Sequence, residues 1–328
     1  MDDLEERIRY GDGVEIDLAT GETLSIDASD PAGDIRAVSH AHGDHLFNSD
    51  PGSIVSSELT ARLAGVRREN VPARTSHPAI ELLDAGHVPG SRAVYADDGE
   101  RTYLYTGDCS IRDRFYLDGF EPRTADVLLI EATYGKPEYV FPPQADSETR
   151  IVEWLETTDD RPVVLFGYAL GRAQEVQQLA QRAGRSHIYI SEAIDALNQP
   201  IAEALDVTFD GDVYDRSVDL GPGDALVFPS QVKNLNFVDT LLEETDALTA
   251  GFSGWAVDSS FKYANGYDET FVLSDHCDFE ELLEVVAAVD PEVVFTLHGA
   301  TDELAAELTR RGYDARSLKR GQRTLGEF

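Results

Sequence analysis

The stretch Ser39-His40-Ala41-His42-Gly43-Asp44-His45 decides how the rest of this chain is read. It follows the run Ile35 to Val38, which is expected to form a short strand. Within it the ligand-type side chains fall in the pattern H-x-H-x-D-H. Alternate residues of an extended segment point the same way, so His40 and His42 can share one metal ion. Asp44 and His45 lie past the turn at Gly43 and can face a second ion. Imidazole and carboxylate suit zinc, and a catalytic zinc keeps one position open for water. Any one of these residues alone would be read as part of a polar loop. Together, at this spacing, they point to a metal centre.

Outward from this loop, further candidates sit at strand ends and in turns. His87 lies in the glycine-flanked turn Asp84-Ala85-Gly86-His87, between strand-like runs at 80–83 and 93–95, and supplies a third imidazole for the first metal. The run Thr102 to Tyr105 ends in Thr106-Gly107-Asp108, where a carboxylate can bridge two metals. The apolar run Val127-Leu128-Leu129-Ile130 ends in Glu131, and Phe271-Val272-Leu273 leads to Ser274-Asp275-His276. Val293 to Leu297 ends in His298-Gly299. Of eight histidines, His77 and His187 lack such a setting and are taken as structural. Asp27, at the end of Leu24-Ser25-Ile26, is expected to orient the histidine loop from behind the ligands; an exposed turn aspartate is the alternative.

Composition sets limits. No run approaches the roughly 18 apolar residues needed to cross a membrane. The acidic start, Met1-Asp2-Asp3-Leu4-Glu5-Glu6, lacks the layout of a signal peptide, so a cytoplasmic protein is expected. The two cysteines, Cys109 and Cys277, do not make a disulfide framework and read as small buried apolar side chains beside the centre. Net charge is −35, and lysine occurs only at 136, 233, 262 and 319. Acid spread along the whole chain, with few lysines, fits a salt-rich, halophile-like cytoplasm. At about 1 M salt the Debye length is roughly 3 Å, so the charge says little against a nucleic-acid substrate. Arg310 to Arg323 is locally basic and reads equally as a phosphate-contacting edge or a solvated face.

In the middle of the chain the pattern changes. Pro142-Pro143 interrupts it, and 146–157 reads as a helix. The buried run Pro162 to Phe166 is followed by Gly167-Tyr168-Ala169-Leu170-Gly171-Arg172-Ala173-Gln174-Glu175 and a helix, which is the strand, turn, helix order of a βαβ unit. Residues 155–255 are therefore expected to form a small α/β insertion. It would divide a larger domain into parts at 1–154 and 256–328.

Taken together, the chain resembles the metallo-β-lactamase superfamily, and within it the nuclease branch that carries a β-CASP-type insertion. The loop H-x-H-x-D-H alone is shared with lactamases and thioesterase-type hydrolases. The nuclease branch is distinguished by the strand-end Glu131 in E-A-T-Y-G, His276 in S-D-H-C-D and His298 in x-H-G, and G-R-A-Q-E at 171–175 is similar to it as well. The resemblance covers essentially the whole chain and implies an α/β fold, the αββα sandwich with a reduced β-CASP-like insertion. L-I-E-A-T-Y-G, F-G-Y-A-L-G-R-A-Q-E, S-G-W and F-V-L-S-D-H-C-D look most like the ligase-associated DNA exonucleases. They are also similar to archaeal chains called mRNA 3′-end processing factors. One departure bears on substrate: after Ser253-Gly254-Trp255 relatives tend to be basic, whereas Ala256-Val257-Asp258 follows here.

The resemblance further implies roles. The first of two Zn2+ (or Mn2+) ions would be held by His40, His42 and His87. The second would be held by Asp44, His45 and His298, with Asp108 bridging. His276, oriented by Glu131, is the candidate general acid, and Asp44 counts with the catalytic residues as well as the ligands. Arg172 and Gln174 are candidate phosphate contacts, or else pack the insertion. A dinuclear-zinc phosphodiesterase on single-stranded nucleic acid is the leading expectation, most simply a DNA exonuclease in repair associated with a ligase or helicase. An RNA exo- or endonuclease is the alternative. A small-molecule metallo-hydrolase and a catalytically dead nucleic-acid-binding subunit are the others, the last disfavoured by the complete ligand set.

Overall fold

The computed structural model describes residues 2–68 and 70–319. Its contacts separate two compact units. The first holds the described residues of Met1–Asp113, Leu117–Glu138 and His276–Phe328; the second holds Arg114–Tyr116 and Tyr139–Asp275.

In the first unit, the strands Ile8–Tyr10, Val14–Asp17, Thr23–Ile26 and Ile35–Ala37 form one sheet in that order. A second sheet runs in the order Ala315–Ser317, Val293–Gly299, Val127–Ala132, Thr102–Tyr105, Arg92–Asp97, Ile80–Asp84. Side-chain alternation decides how this second sheet is covered. Val127, Leu129, Val293 and Phe295 face a core shared with Ile16, Leu24 and Ile26 of the first sheet. Leu128, Ile130 and Val294 face the opposite way, onto Leu282, Val286, Leu304 and Leu308 of the helices Phe279–Val289 and Thr301–Arg310. A strand buried on both faces needs an unbroken apolar run, which is what V-L-L-I supplies. The helix Glu58–Arg68 sets Ala64 in a separate cluster with Val38, Leu46, Phe47 and Ile54. The unit is an αββα sandwich, the fold class expected from the sequence.

Two local signals have direct structural counterparts. The Asp278 side chain accepts from the Glu281 amide and the Glu281 side chain from the Asp278 amide, each at 2.9 Å, so the helix at 279 starts in a capping box. The strands at 102–105, 127–132 and 293–299 run parallel to one another. Their carboxyl ends therefore share one edge, and that edge carries Asp108, Glu131 and His298. Open sheets of this kind bind ligands at that edge.

The second unit is a parallel six-stranded sheet in the order Asp212–Val213, His187–Ile190, Asp224–Pro229, Val163–Gly167, Leu248–Phe252, Glu269–Phe271. It extends past the expected 155–255 at both ends, and there are physical reasons for each extension. The helix Gln144–Thr157 buries Ile151 and Leu155 in the same cluster as Val163, Leu165 and Val176. At the other end, Glu269–Phe271 adds an edge strand beside Leu248–Phe252. Among the described residues, no helix is long and apolar enough to cross a membrane.

Candidate metal centre

Every expected ligand lies in the first unit, and Asp27 organises their arrangement. Its Oδ1 accepts from the Ser39 amide at 2.7 Å. Its Oδ2 accepts from Ser39 Oγ at 2.5 Å, His45 Nδ1 at 2.9 Å and Tyr105 Oη at 2.9 Å. The residue itself sits in the left-handed backbone region at φ +51, a conformation unusual for a side chain other than glycine and often kept at functional sites. Burial, with Asp27 alongside, pushes the Tyr105 phenol well above its ordinary range, so it stays a donor.

These bonds settle which ring nitrogens are available. Ser39 donates its hydroxyl proton to Asp27, so its oxygen accepts from His40 Nδ1 at 2.9 Å. That leaves the His40 Nε2 lone pair pointing into the site. This atom is buried, has no hydrogen-bond partner among the described residues and stands 3.5 Å from Asp108 Oδ2. His45 likewise uses Nδ1 on Asp27 and turns Nε2 toward Asp108 at 3.5 Å. His87 Nε2 lies 3.6 Å from the same carboxylate oxygen and 3.2 Å from His42 Nδ1. Ligand atoms of His40, His42, His87 and Asp108 all lie within 4.8 Å of one another. Histidine ligands whose second nitrogen is held by an outer partner are the usual form of a zinc site.

Glycines let the strands approach this closely. Gly107 has φ +56, and a Cβ there would stand 2.9 Å from Ser39 Cβ. Gly86, at φ +67 before His87, lies so near the Ser110 carbonyl that no Cβ fits. The charges agree with a buried cation site. Burial and the neighbouring histidines push His40 well below its ordinary value. For His45 burial acts in the same direction, but Asp108 and Asp27 outweigh it and hold the group at about 10. Burial likewise works against the charged form of Asp108, yet His45, His276 and His87 keep its carboxyl below the usual range.

The second ligand set is more open. Asp44 is 83% exposed in its side chain, with Oδ2 3.9 Å from His45 Nε2. The His298 ring lies 5.4 Å from that of His45, and its backbone is also left-handed, at φ +55. Its Nδ1 is 3.4 Å from Tyr10 Oη. Burial lowers His298 below its ordinary value, Asp108 opposing. Three imidazoles around a carboxylate, with an orphaned buried ring nitrogen, fit a divalent ion of the zinc type. The second set, with two further imidazoles and an exposed carboxylate beside the same Asp108, extends it.

His276 stands beside the cage, its ring 4.5 Å from that of His87. Its Nδ1 donates to both oxygens of the buried Glu131 at 2.9 Å, and Glu131 also accepts from the Cys109 amide at 2.8 Å. These bonds to Glu131 fix the orientation of the His276 ring. Arg112 bonds the His276 carbonyl and pairs with Glu281 at 3.0 Å, pinning the backbone that carries the ring. Cys109 and Cys277 are both buried, with sulfurs 3.9 Å apart.

Several of these contacts are not visible in the sequence reading. Tyr105 sits in a strand that reads as apolar packing. Ser39, directly before the first ligand, carries a signal in its position alone. Arg112 carries none. The two candidate phosphate residues are placed elsewhere. Arg172 is buried in the second unit, where it bonds Glu175 at 3.1 Å, Asp275 at 2.8 Å and the Leu273 carbonyl. Gln174 is buried too, bonding the Gly171 amide, the Ala169 carbonyl and Asn198. Both side chains are buried and hydrogen-bonded within the second unit. His77 and His187 pair with Glu22 and Asp224. In the basic segment, Arg310 and Arg311 pair with Glu307, Arg316 with Asp314 and Lys319 with Asp302. Arg320 and Arg323 lie outside the described residues.

Comparison with known proteins follows the same lines. No family model matches the chain. A probable DNA ligase of Opitutus terrae is 33% identical over 292 residues, covering 85% of this chain and 28% of that protein. The 5′ exonuclease Apollo of Gallus gallus is 27% identical over 164 residues, 45% of this chain and 36% of its own length. The cleavage and polyadenylation specificity factor subunit 3 of Dictyostelium discoideum is 32% identical over 126 residues, 37% of this chain and 16% of its own. The chain thus spans about a third or less of the length of these relatives.

Proposed function

Because the chain belongs to the β-CASP branch of the metallo-β-lactamase-fold nucleases, we propose that it is a metal-dependent phosphodiesterase that shortens single-stranded DNA in repair, alongside a DNA ligase. The observation that carries the reading is the His276–Glu131 pair next to the ligand cage. A thiolate leaving a small thioester does not need a dedicated proton donor of this kind. An alkoxide leaving a phosphodiester does.

His40, His42 and His87 would hold one zinc ion, Asp44, His45 and His298 the other, and Asp108 would lie between them. Ions held there would lower the pKa of a bound water to near neutral and offset charge on the phosphoryl oxygens. The chain's own residues do the rest. Asp27, through Ser39 and His45, locks the ring tautomers so that lone pairs face inward. Asp108 supplies the anionic charge in a buried site. His276 carries a proton on its outer nitrogen and releases it to the departing oxygen, while Glu131 stabilises the charged ring from the other side. Arg112 and Glu281 keep that ring aimed.

The names of the Opitutus and chicken relatives favour DNA and end-directed cutting. The Dictyostelium relative's name favours a second reading, transcript cleavage. A paired digestion tests both. End-labelled single-stranded DNA and RNA of one sequence, with 5′-phosphate or 5′-hydroxyl, are incubated in high KCl with Zn2+ or Mn2+. Stepwise shortening of DNA alone is expected. Preference for RNA moves the reading to transcript processing, and inactivity on both with two metals bound removes the nuclease assignment.

A further inference from the structure

The motif Gly171-Arg172-Ala173-Gln174-Glu175 stands out in the sequence, and the structure buries both of the phosphate contacts expected from it. We propose that its arginine, Arg172, is a positioning residue for the general acid: it clamps the main chain that delivers His276 and does not touch substrate. The inference rests on the nuclease reading above.

Residues 272–278 have no regular structure, yet Leu273, Ser274, Asp275, Cys277 and Asp278 are buried. Buried backbone outside helices and sheets must find its hydrogen bonds among side chains and neighbouring loops. Here the partners come almost residue by residue. Arg172 Nη1 donates to the Leu273 carbonyl, and Nη2 donates to Asp275 Oδ1 at 2.8 Å. Arg112 donates to the His276 carbonyl, the Cys277 amide donates to the Cys109 carbonyl at 2.7 Å, and Asp278 begins the capping box. Arg172 is thus the anchor on the amino-terminal side of His276, and Asp275 precedes that histidine by a single peptide bond. Glu131 fixes the ring; the clamp fixes the backbone that carries it.

The arginine is itself held rigid. Its Nε donates to Glu175 Oε2 at 3.1 Å, and the other oxygen of Glu175 accepts from Arg114. The four charged side chains are each no more than 4% exposed. A planar guanidinium fork can serve Leu273, Asp275 and Glu175 in three fixed directions, which the point charge of a lysine cannot. Gly167 makes room for it. A Cβ at that position would stand 2.7 Å from Arg172 Cγ, so the side chain takes this path because residue 167 is glycine. An arginine placed to bind phosphate would be poorly served by two buried carboxylates that already take up its charge and donors. For a clamp, the same carboxylates are what fixes it.

A general acid acts only within hydrogen-bond reach of the departing oxygen, and a displacement of about 1 Å can cost on the order of 10²-fold in rate. The test compares the zinc-loaded chain with its Arg172→Lys and Gly167→Ala variants; the second keeps every charge and only displaces the arginine. Each variant should lose at least tenfold in kcat on a single-stranded oligodeoxynucleotide, with KM within twofold of wild type. On bis(p-nitrophenyl) phosphate, whose leaving group departs without a proton, the loss should stay below threefold. Deuterium exchange at the amides of residues 274–277 should quicken at least tenfold, while exchange at residues 39–45 stays at the wild-type level. Equal losses on the two substrates, or unchanged exchange at 274–277, would overturn the positioning role. So would a raised KM on both substrates, which is the signature of a phosphate contact. If the wild-type chain cleaves neither substrate, the nuclease reading fails. Amide exchange then still decides the clamp: faster exchange confined to 274–277 supports it and unchanged exchange overturns it.

Discussion

Replacing Glu131 by glutamine separates proton donation from metal binding. The side chain is fully buried, keeps its shape as an amide and can still accept from the Cys109 amide. What it loses is the negative charge that meets His276 Nδ1 at 2.9 Å. A hydrogen bond to a charged group contributes about 1.5–3 kcal/mol and a neutral one about 0.5–1.5. The protonated ring therefore loses on the order of 1–1.5 kcal/mol. At about 1.4 kcal/mol per decade this is roughly tenfold in the population of the competent acid, before any misalignment of the ring. General acids as a class contribute about 10²–10⁴-fold, so Glu131→Gln should lower kcat on oligonucleotides by roughly 10–100-fold. The alkaline limb of the rate profile should also move to lower pH, because the proton is held less firmly. Leaving-group dependence isolates the effect. A p-nitrophenolate departs without needing a proton, so hydrolysis of a p-nitrophenyl diester should fall less than threefold. Zinc per chain, by elemental analysis, should stay at the wild-type level. Equal losses on both substrates, or loss of metal, would show that Glu131 does not act through a general acid.

Three further substitutions probe the remaining parts. Asp108→Asn takes the anion from between the histidines and should reduce bound zinc by at least one equivalent; full occupancy would remove Asp108 from the bridging position. Tyr10→Phe deletes the hydroxyl 3.4 Å from His298 Nδ1 and should weaken one of two calorimetric metal-binding steps by about tenfold, an outcome disproved by two unchanged steps. Arg172→Met removes the guanidinium that pairs with the buried Asp275 and one of the two arginines, with Arg114, that pair with Glu175, and should destabilise folding by about 3–5 kcal/mol in denaturant unfolding, where a change below about 1 kcal/mol would contradict a packing role.

Much of the centre is legible in the sequence for geometric reasons. His40, His42 and His45 fall on a turn after a strand, and Asp108, Glu131 and His298 end parallel strands, so a common edge gathers residues far apart in the chain. What stays hidden follows from chemistry that patterning does not encode. Tyr105 looks like core because its ring is core; its hydroxyl alone does the positioning. Arg172 and Gln174 open a helix and look like surface, since charged residues are rarely fully buried unless paired. Their partners, Asp275 and Asn198, are remote in sequence. The insertion's far boundary is missed because Glu269–Phe271 is a three-residue edge strand with little apolar pattern. Its near boundary is missed as well, because the helix Gln144–Thr157 reads as part of the first unit although Ile151 and Leu155 pack with Val163 and Leu165.

The most direct measurement is hydrolysis of single-stranded DNA by metal-free protein as Zn2+ is added in fractional equivalents, with bound metal followed in parallel. Two-metal catalysis predicts turnover that stays low through the first equivalent, rises with the second and is abolished by a chelator. Hydrolysis that is undiminished without metal, or absent with two ions bound, would contradict it.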